Sequence, residues 1–175
     1  TAAYFRDLHR AHGVRIHEGT GLDRLTGERH VTGAVLADGT DLALDLVIVG
    51  IGITPATALA EAAGLEIDDG VKADAMGRTS DHAIWTAGDC ASFPWRGARI
   101  RLESVQNAID QAETVARNIL GAQAPYDPTP WFWSDQYDVK LQIAGLNTGY
   151  TDVAERLGRA AGAVSHWYFR DGTLL

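Results

Sequence analysis

Between residues 104 and 120 apolar side chains recur at helical spacing. Val105, Ala108, Ile109, Ala112, Val115, Ala116, Ile119 and Leu120 fall on one face, which is predicted to be the buried one. Ser104 stands where an N-cap belongs and Gly121 where a helix stops, so this is the clearest helix in the chain. A second helix is predicted at the start, where Ala2, Phe5, Leu8 and His9 keep helical spacing up to Gly13. A short third one covers 57–63 and closes at Gly64. Strand patterns fill the intervals. Residues 14–17 read as a short strand; 31–36 alternates loosely, Asp38-Gly39 turns, and 42–44 returns as a hairpin or meander. Leu46, Val47, Ile48 and Val49 form an unbroken apolar run, the pattern of a strand buried on both faces of a parallel sheet. Residues 71–73, a polar turn around Gly77 and a strand over 84–87 follow, the last running into Gly88-Asp89. The stretch 123–130 carries three prolines and reads as a linker. Beyond it come Trp131 and Trp133, strands near 139–144 and 163–169, and an Asp171-Gly172 turn into a returning strand.

This alternation of helices and strands is an α/β pattern, and composition narrows what it can serve. A length of 175 residues suits one domain or slightly more, and 46% hydrophobic with 22% charged residues is ordinary for a folded chain. The net charge of −8 removes the electrostatic basis for nucleic-acid binding. The apolar runs are far too short to span a bilayer, and no charged segment followed by an apolar one opens the chain. A single cysteine, Cys90, excludes an internal disulfide framework and fits a reducing cytoplasm. Both ends read as cut: the first helix has no preceding strand to pack on, and the last hairpin stops as its second arm begins.

The most informative segment for chemistry is 79–89, where Thr79, a short apolar strand and Gly88-Asp89 make a candidate cofactor cradle. Glycine admits close backbone approach, and an aspartate at the carboxyl end of a parallel strand can accept a hydrogen bond from a polyol hydroxyl. The alternative is a turn after a core strand, with Asp89 merely capping. The first free amides of the long helix, at Val105 and Gln106, form a site of partial positive charge that would favour a ring becoming anionic on reduction. A solvent-facing end capped by Ser104 is the alternative there. His9 and His12 lie one turn apart without a third ligand at suitable spacing, so surface histidines are the expectation. Arg96, Arg99 and Arg101 form a basic cluster in an acidic chain, either a solvated loop or a docking patch for an acidic protein. Trp131, Phe132, Trp133 and Tyr137 could be core aromatics, but strand side chains alternate, so consecutive ones cannot all face one core.

Three segments in chain order resemble consecutive signatures of FAD-dependent ferredoxin reductases. They are 79–89, then Arg101-Leu102-Glu103-Ser104-Val105-Gln106-Asn107-Ala108, then Pro130-Trp131-Phe132-Trp133-Ser134-Asp135-Gln136-Tyr137. These NADH-using flavoproteins feed bacterial cytochromes P450 and ring-hydroxylating dioxygenases through a ferredoxin. The Gly-Asp motif is shared with many two-dinucleotide flavoproteins, whereas the Pro-Trp-Phe-Trp-Ser-Asp-Gln segment belongs to the carboxyl-terminal domain of this branch. The resemblance implies an α/β fold, a fragment of a flavoprotein with Rossmann-like FAD and NAD domains plus the start of an α+β carboxyl-terminal domain. Residues 1–55 would be the last part of the NAD(P)-binding domain, 56–122 the second half of the FAD-binding domain, and 123–175 the beginning of the interface domain.

The resemblance further implies FAD and NAD(P)H as cofactors and a 2Fe–2S ferredoxin as partner. Asp89 would bind the ribitol chain of FAD, with Gly88 permitting the approach. Val105 would lie beside the flavin pyrimidine edge, and Trp133 near the isoalloxazine and the ferredoxin-facing surface. Gly50, Ile51 and Gly52 would flank the bound nicotinamide nucleotide. No side chain need act as an acid or base, since the redox chemistry belongs to the cofactor. The family's two G-x-G-x-x-G turns are not in this sequence; Gly50-Ile51-Gly52 lacks the third glycine, so the chain reads as the second half of a reductase about twice as long. Two alternatives remain open: a sister NADH oxidase or disulfide reductase with a reactive cysteine upstream, and a non-enzymatic flavoprotein relative.

Overall fold

The helical spacing of the opening residues is realised as α1 (Ala2–Ala11) in a computed structural model that describes residues 1–160 and 162–175. The chain divides into two units, Thr1–Gly52 and Ile53–Leu175. In the first, α1 closes at Gly13, whose φ of +83° suits the residue without a Cβ. β1 (Leu22–Thr26), β2 (Gly33–Leu36) and β3 (Asp41–Ala43) form an antiparallel sheet with β2 in the centre, where Ala34 and Val35 are buried. The Asp38-Gly39 turn is as expected: the Thr40 N–H donates to the Asp38 carboxylate at 2.9 Å. β1 gave little warning, because Asp23 and Arg24 interrupt its alternation.

Two expected strands of this unit do not form. Residues 14–17 and 46–49 are irregular, and Leu46, Ile48 and Val49 are exposed (72%, 87% and 67%). A parallel strand exists only through its neighbours, which satisfy its N–H and C=O groups and cover its faces. Among the described residues none pairs with 46–49.

The second unit opens with α2 (Ala58–Ala62) and a small sheet in which β5 (Ala91–Trp95) pairs in parallel with β4 (Val71–Lys72) and antiparallel with β6 (Ala98–Ile100). The long helix α3 (Val105–Ile119) follows, then the hairpin of β7 (Trp131–Gln136) and β8 (Val139–Ala144). A final sheet has the order β11-β10-β9, from β9 (Asp152–Leu157), β10 (Val164–Arg170) and β11 (Thr173–Leu174), with the Asp171-Gly172 turn in place. The core is built on Phe93, Leu102 and Tyr126, flanked by Trp95, Ile100, Phe132 and Leu146. The 123–130 stretch is therefore anchored rather than a free linker. Tyr126 is buried with its ring centroid 5.5 Å from that of Phe93, its N–H donates to the Ala75 carbonyl at 2.7 Å, and the Trp95 indole donates to the Pro128 carbonyl at 3.0 Å. Along β7 alternation holds: Phe132 packs on the core, while Trp131 and Trp133 stack on each other with centroids 5.2 Å apart.

α3 buries a stripe of amide side chains in place of most of its apolar face. Its buried residues are Asn107, Gln111, Val115 and Asn118, while Val105, Ile109, Ile119 and Leu120 are exposed. The surface beneath the helix explains this. It consists of loops with backbone groups that need partners, and amide side chains carry both donors and acceptors. Asn118 Nδ2 donates to the Met76 and Ala124 carbonyls, and its Oδ1 accepts from the Ala124 N–H at 2.7 Å. Val115 packs so closely on Gly77 that a Cβ there would lie 2.3 Å from Cγ2. Replacing Asn118 by leucine removes three hydrogen bonds to part-buried backbone groups, each worth roughly 0.5–1.5 kcal/mol. Asn118→Leu is expected to lower the urea midpoint by an amount equivalent to about 3 kcal/mol with an unchanged slope, whereas a shift below about 0.5 kcal/mol would show that water replaces these bonds.

Candidate functional site

Gly88 and Asp89 begin a tight turn closed by the Ala91 N–H donating to the Gly88 carbonyl at 2.9 Å. Gly88 is buried with φ +80°, a conformation that disfavours side chains. Asp89 is exposed. The turn does not close a parallel strand as expected; it leads into β5, and the Val71 N–H joins it from β4 by donating to the Cys90 carbonyl at 2.8 Å. Residues 84–87 form no regular strand. They lie antiparallel to 77–79, with the Thr79 N–H donating to the Ile84 carbonyl and the Thr86 N–H to the Gly77 carbonyl around one Arg78–Trp85 bridge. Thr79 is consumed by the turn at 80–83: its hydroxyl lies 2.9 Å from the carbonyls of Asp81 and Ile84.

The Gly-Asp turn rests on α3. The Gly88 N–H donates to Gln111 Oε1 at 2.8 Å, and a Cβ on Gly88 would already lie 3.6 Å from that of Ala108. On the other side Arg101 Nη1 donates to the Asp89 carbonyl at 3.1 Å. At the start of α3 the Ser104 hydroxyl accepts from the Asn107 N–H at 3.1 Å, which leaves the Val105 and Gln106 amides without an intrahelical acceptor. Asn107 fixes this end of the helix: its Nδ2 donates to the Leu102 carbonyl at 3.0 Å, and its Oδ1 accepts from the Tyr126 hydroxyl at 3.1 Å. Burial, with the nearby Asp110 carboxylate adding to it, pushes the Tyr126 phenol up to about 12.

Gly88, Asp89 and the Val105 end of α3 are thus brought onto one framework. Trp133, 45% exposed, stands on the outer face of β7 stacked on Trp131. Gly50, Ile51 and Gly52 are the last residues of the first unit, in exposed backbone with Gly52 at φ +92°. Two members of the arginine cluster are engaged in the fold rather than solvated. Arg99 Nη1 donates to the Ala73 and Ser92 carbonyls, and the Arg101 side chain, only 10% exposed, pairs with Glu103 at 2.6 Å; Arg96 alone is mostly exposed, lying over the Trp95 ring. Cys90 is half-buried with its Sγ 3.7 Å from the Ala87 carbonyl. An apolar cleft of about 290 Å³ beside α2, lined by Leu59, Leu65, Val71, Ile84 and Trp85 among others, includes neither Gly88 nor Asp89. Among the described residues no cluster of three or more His, Cys, Asp or Glu could hold a metal. Gln111 was invisible to periodicity, which treats a mid-helix glutamine as surface. Its signal was the amide stripe Asn107, Gln111 and Asn118 on one face.

Residues 1–112 match the pyridine nucleotide-disulphide oxidoreductase family, and residues 131–175 match the reductase C-terminal family. The chain belongs to the pyridine nucleotide-disulphide oxidoreductase family. It is 43% identical over 176 residues to the ferredoxin reductase subunit of 5,5'-dehydrodivanillate O-demethylase from Sphingobium, a match covering 98% of this chain and 43% of that protein. The crystal structure of the ferredoxin reductase for the CYP199A2 system from Rhodopseudomonas palustris matches with a TM-score of 0.94 and 44% identity, over 99% of this chain and 44% of that one. Putidaredoxin reductase in its covalent complex with putidaredoxin matches with a TM-score of 0.91 and 40% identity, over 99% and 43% of the two chains. The α/β expectation and the resemblance stated from the sequence both hold. The chain spans about 43% of the length of the curated relatives it matches.

The Tyr126 shift has a measurable consequence. Its folded value is raised above the ordinary 10, so its contribution to stability is complete below pH 10 and is lost as pH rises towards 12. The stability difference between the wild-type protein and Tyr126→Phe is expected to be constant below pH 10 and to shift in favour of the phenylalanine variant between pH 10 and 12. Denaturation curves that stay parallel through this window would place the phenol in water.

Proposed function

We propose that this chain works as part of an FAD-dependent NAD(P)H:ferredoxin oxidoreductase. The observation that carries the reading is the Gly88-Asp89 turn seated against the first half of α3. The residues fit the cofactor. Gly88 brings backbone close without a side chain, Asp89 has an exposed carboxylate suited to a polyol hydroxyl, and the Val105 and Gln106 amides present the positive end of a helix. When bound, FAD supplies the redox chemistry, taking electrons in pairs from NAD(P)H and releasing them singly to a 2Fe–2S ferredoxin.

The chain's own share is orientation and electrostatics. Asp89 holds the ribitol, the Val105 end of α3 favours negative charge on the ring, and the exposed Trp133 forms part of the ferredoxin-facing wall. Gly50, Ile51 and Gly52 flank the nicotinamide nucleotide. On this reading 1–55 belongs to the NAD(P)-binding domain, 56–122 to the FAD-binding domain and 123–175 to the interface domain. Similarity to named ferredoxin reductases along nearly the whole chain favours this branch over a disulfide reductase. A reducing cytoplasm is the compartment that suits the single cysteine. No helix among the described residues is long and apolar enough to cross a membrane.

In the protein expressed from the complete gene, Asp89→Ala is expected to weaken FAD binding by about ten- to a hundredfold, the loss of a charge-assisted hydrogen bond. Unchanged flavin retention on dialysis would remove Asp89 from the site. Trp133→Ala is expected to leave NADH reduction of the flavin nearly intact and to slow turnover with ferredoxin while sparing ferricyanide, which needs no docked surface. Equal damage with both acceptors would make Trp133 a packing residue.

A further inference from the structure

We propose that Gln111 is a positioning residue of this site: from the middle of α3 it holds the backbone immediately before Asp89 and thereby sets where that carboxylate meets the cofactor. The inference rests on the reading of Asp89 given above. Gln111 is 1% exposed and among the largest fully buried side chains. A buried amide costs free energy unless its groups are bonded, so its place in mid-helix needs a partner. That partner is the Gly88 N–H at 2.8 Å, and because a backbone amide can only donate, the glutamine must present its oxygen.

Gly88 is the position where the turn would otherwise be loosest, since a glycine at φ +80° has wide conformational freedom. The Gln111 bond removes that freedom on one side of Asp89. Arg101 removes it on the other by donating to the Asp89 carbonyl, its guanidinium held in turn by Glu103. Both backbone flanks of the Asp89 side chain are therefore held by residues of one continuous stretch, 101–111, which also carries the amino end of α3. The carboxylate and the positive helix end are thereby kept in register with each other. A neutral glutamine does this without placing a second negative charge beside Asp89.

The test uses the apoprotein of the complete gene product titrated with FAD, comparing wild type, Gln111→Met, Asp89→Ala and the double variant. Gln111→Met keeps length and bulk but lacks the acceptor, and is expected to raise the Kd for FAD about tenfold. In the Asp89→Ala background the same change is expected to add less than about twofold, because the glutamine acts through the aspartate. A full tenfold loss in both backgrounds would show a merely structural role and overturn the proposal. Unchanged affinity in Gln111→Met beside weakened affinity in Asp89→Ala would overturn it too, leaving the site reading intact. Unchanged affinity in Asp89→Ala would instead remove the site reading and the proposal together. Amide exchange at Gly88 in the wild-type apoprotein serves if Gln111→Met does not fold. Slow exchange is expected, and exchange at the rate of an unstructured glycine overturns the proposal.

Discussion

The hydrogen-bonding demand of loops beneath one helix organises the second unit. The turns around Met76, Gly88, Leu102 and Ala124 each direct a backbone donor or acceptor at α3, and Asn107, Gln111 and Asn118 answer them. Leaving such groups unpaired would cost roughly 1–3 kcal/mol apiece, comparable with burying an aliphatic side chain. With three amides engaged inward, the helix has one rotational setting, in which Val115 is the buried member of its apolar stripe while Val105, Ile109, Ile119 and Leu120 face outward. The same setting brings its amino end beside the Gly88-Asp89 turn, so a requirement of loop satisfaction becomes the geometry of the site.

Arginine is used in the same spirit. In an acidic chain three neighbouring arginines read as either a solvated loop or a surface for an acidic partner; Arg99 and Arg101 donate instead to the carbonyls of Ala73, Ser92 and Asp89. The planar guanidinium can serve several acceptors at once, which suits it to tying loops together. Of the three, Arg96 is the one left mostly exposed. Arg96 lies over Trp95, and Trp133 stacks on Trp131 at the outer face of β7.

Much was legible in local sequence where local physics decides. Ser104 and Gly121 bracket α3 because capping is a matter of a few neighbouring residues. Asp38-Gly39 and Asp171-Gly172 turn where they should, and the aromatics of β7 divide between core and surface because strand side chains alternate. The position of the Gly-Asp turn was legible too, although the strand expected before it is an irregular hairpin arm.

Sequence by itself determined the α/β character, the helix and turn positions, and the residues that resemble a flavin-binding reductase. Only tertiary structure decided which face of α3 is buried, that Tyr126 anchors the proline-rich stretch, and that Gln111 and Arg101 hold the turn bearing Asp89. The reason is physical. Periodicity reports how apolar and polar side chains are distributed around an element, whereas burial depends on what the opposing surface requires. That surface was assembled from segments distant in the chain, and it required hydrogen bonds.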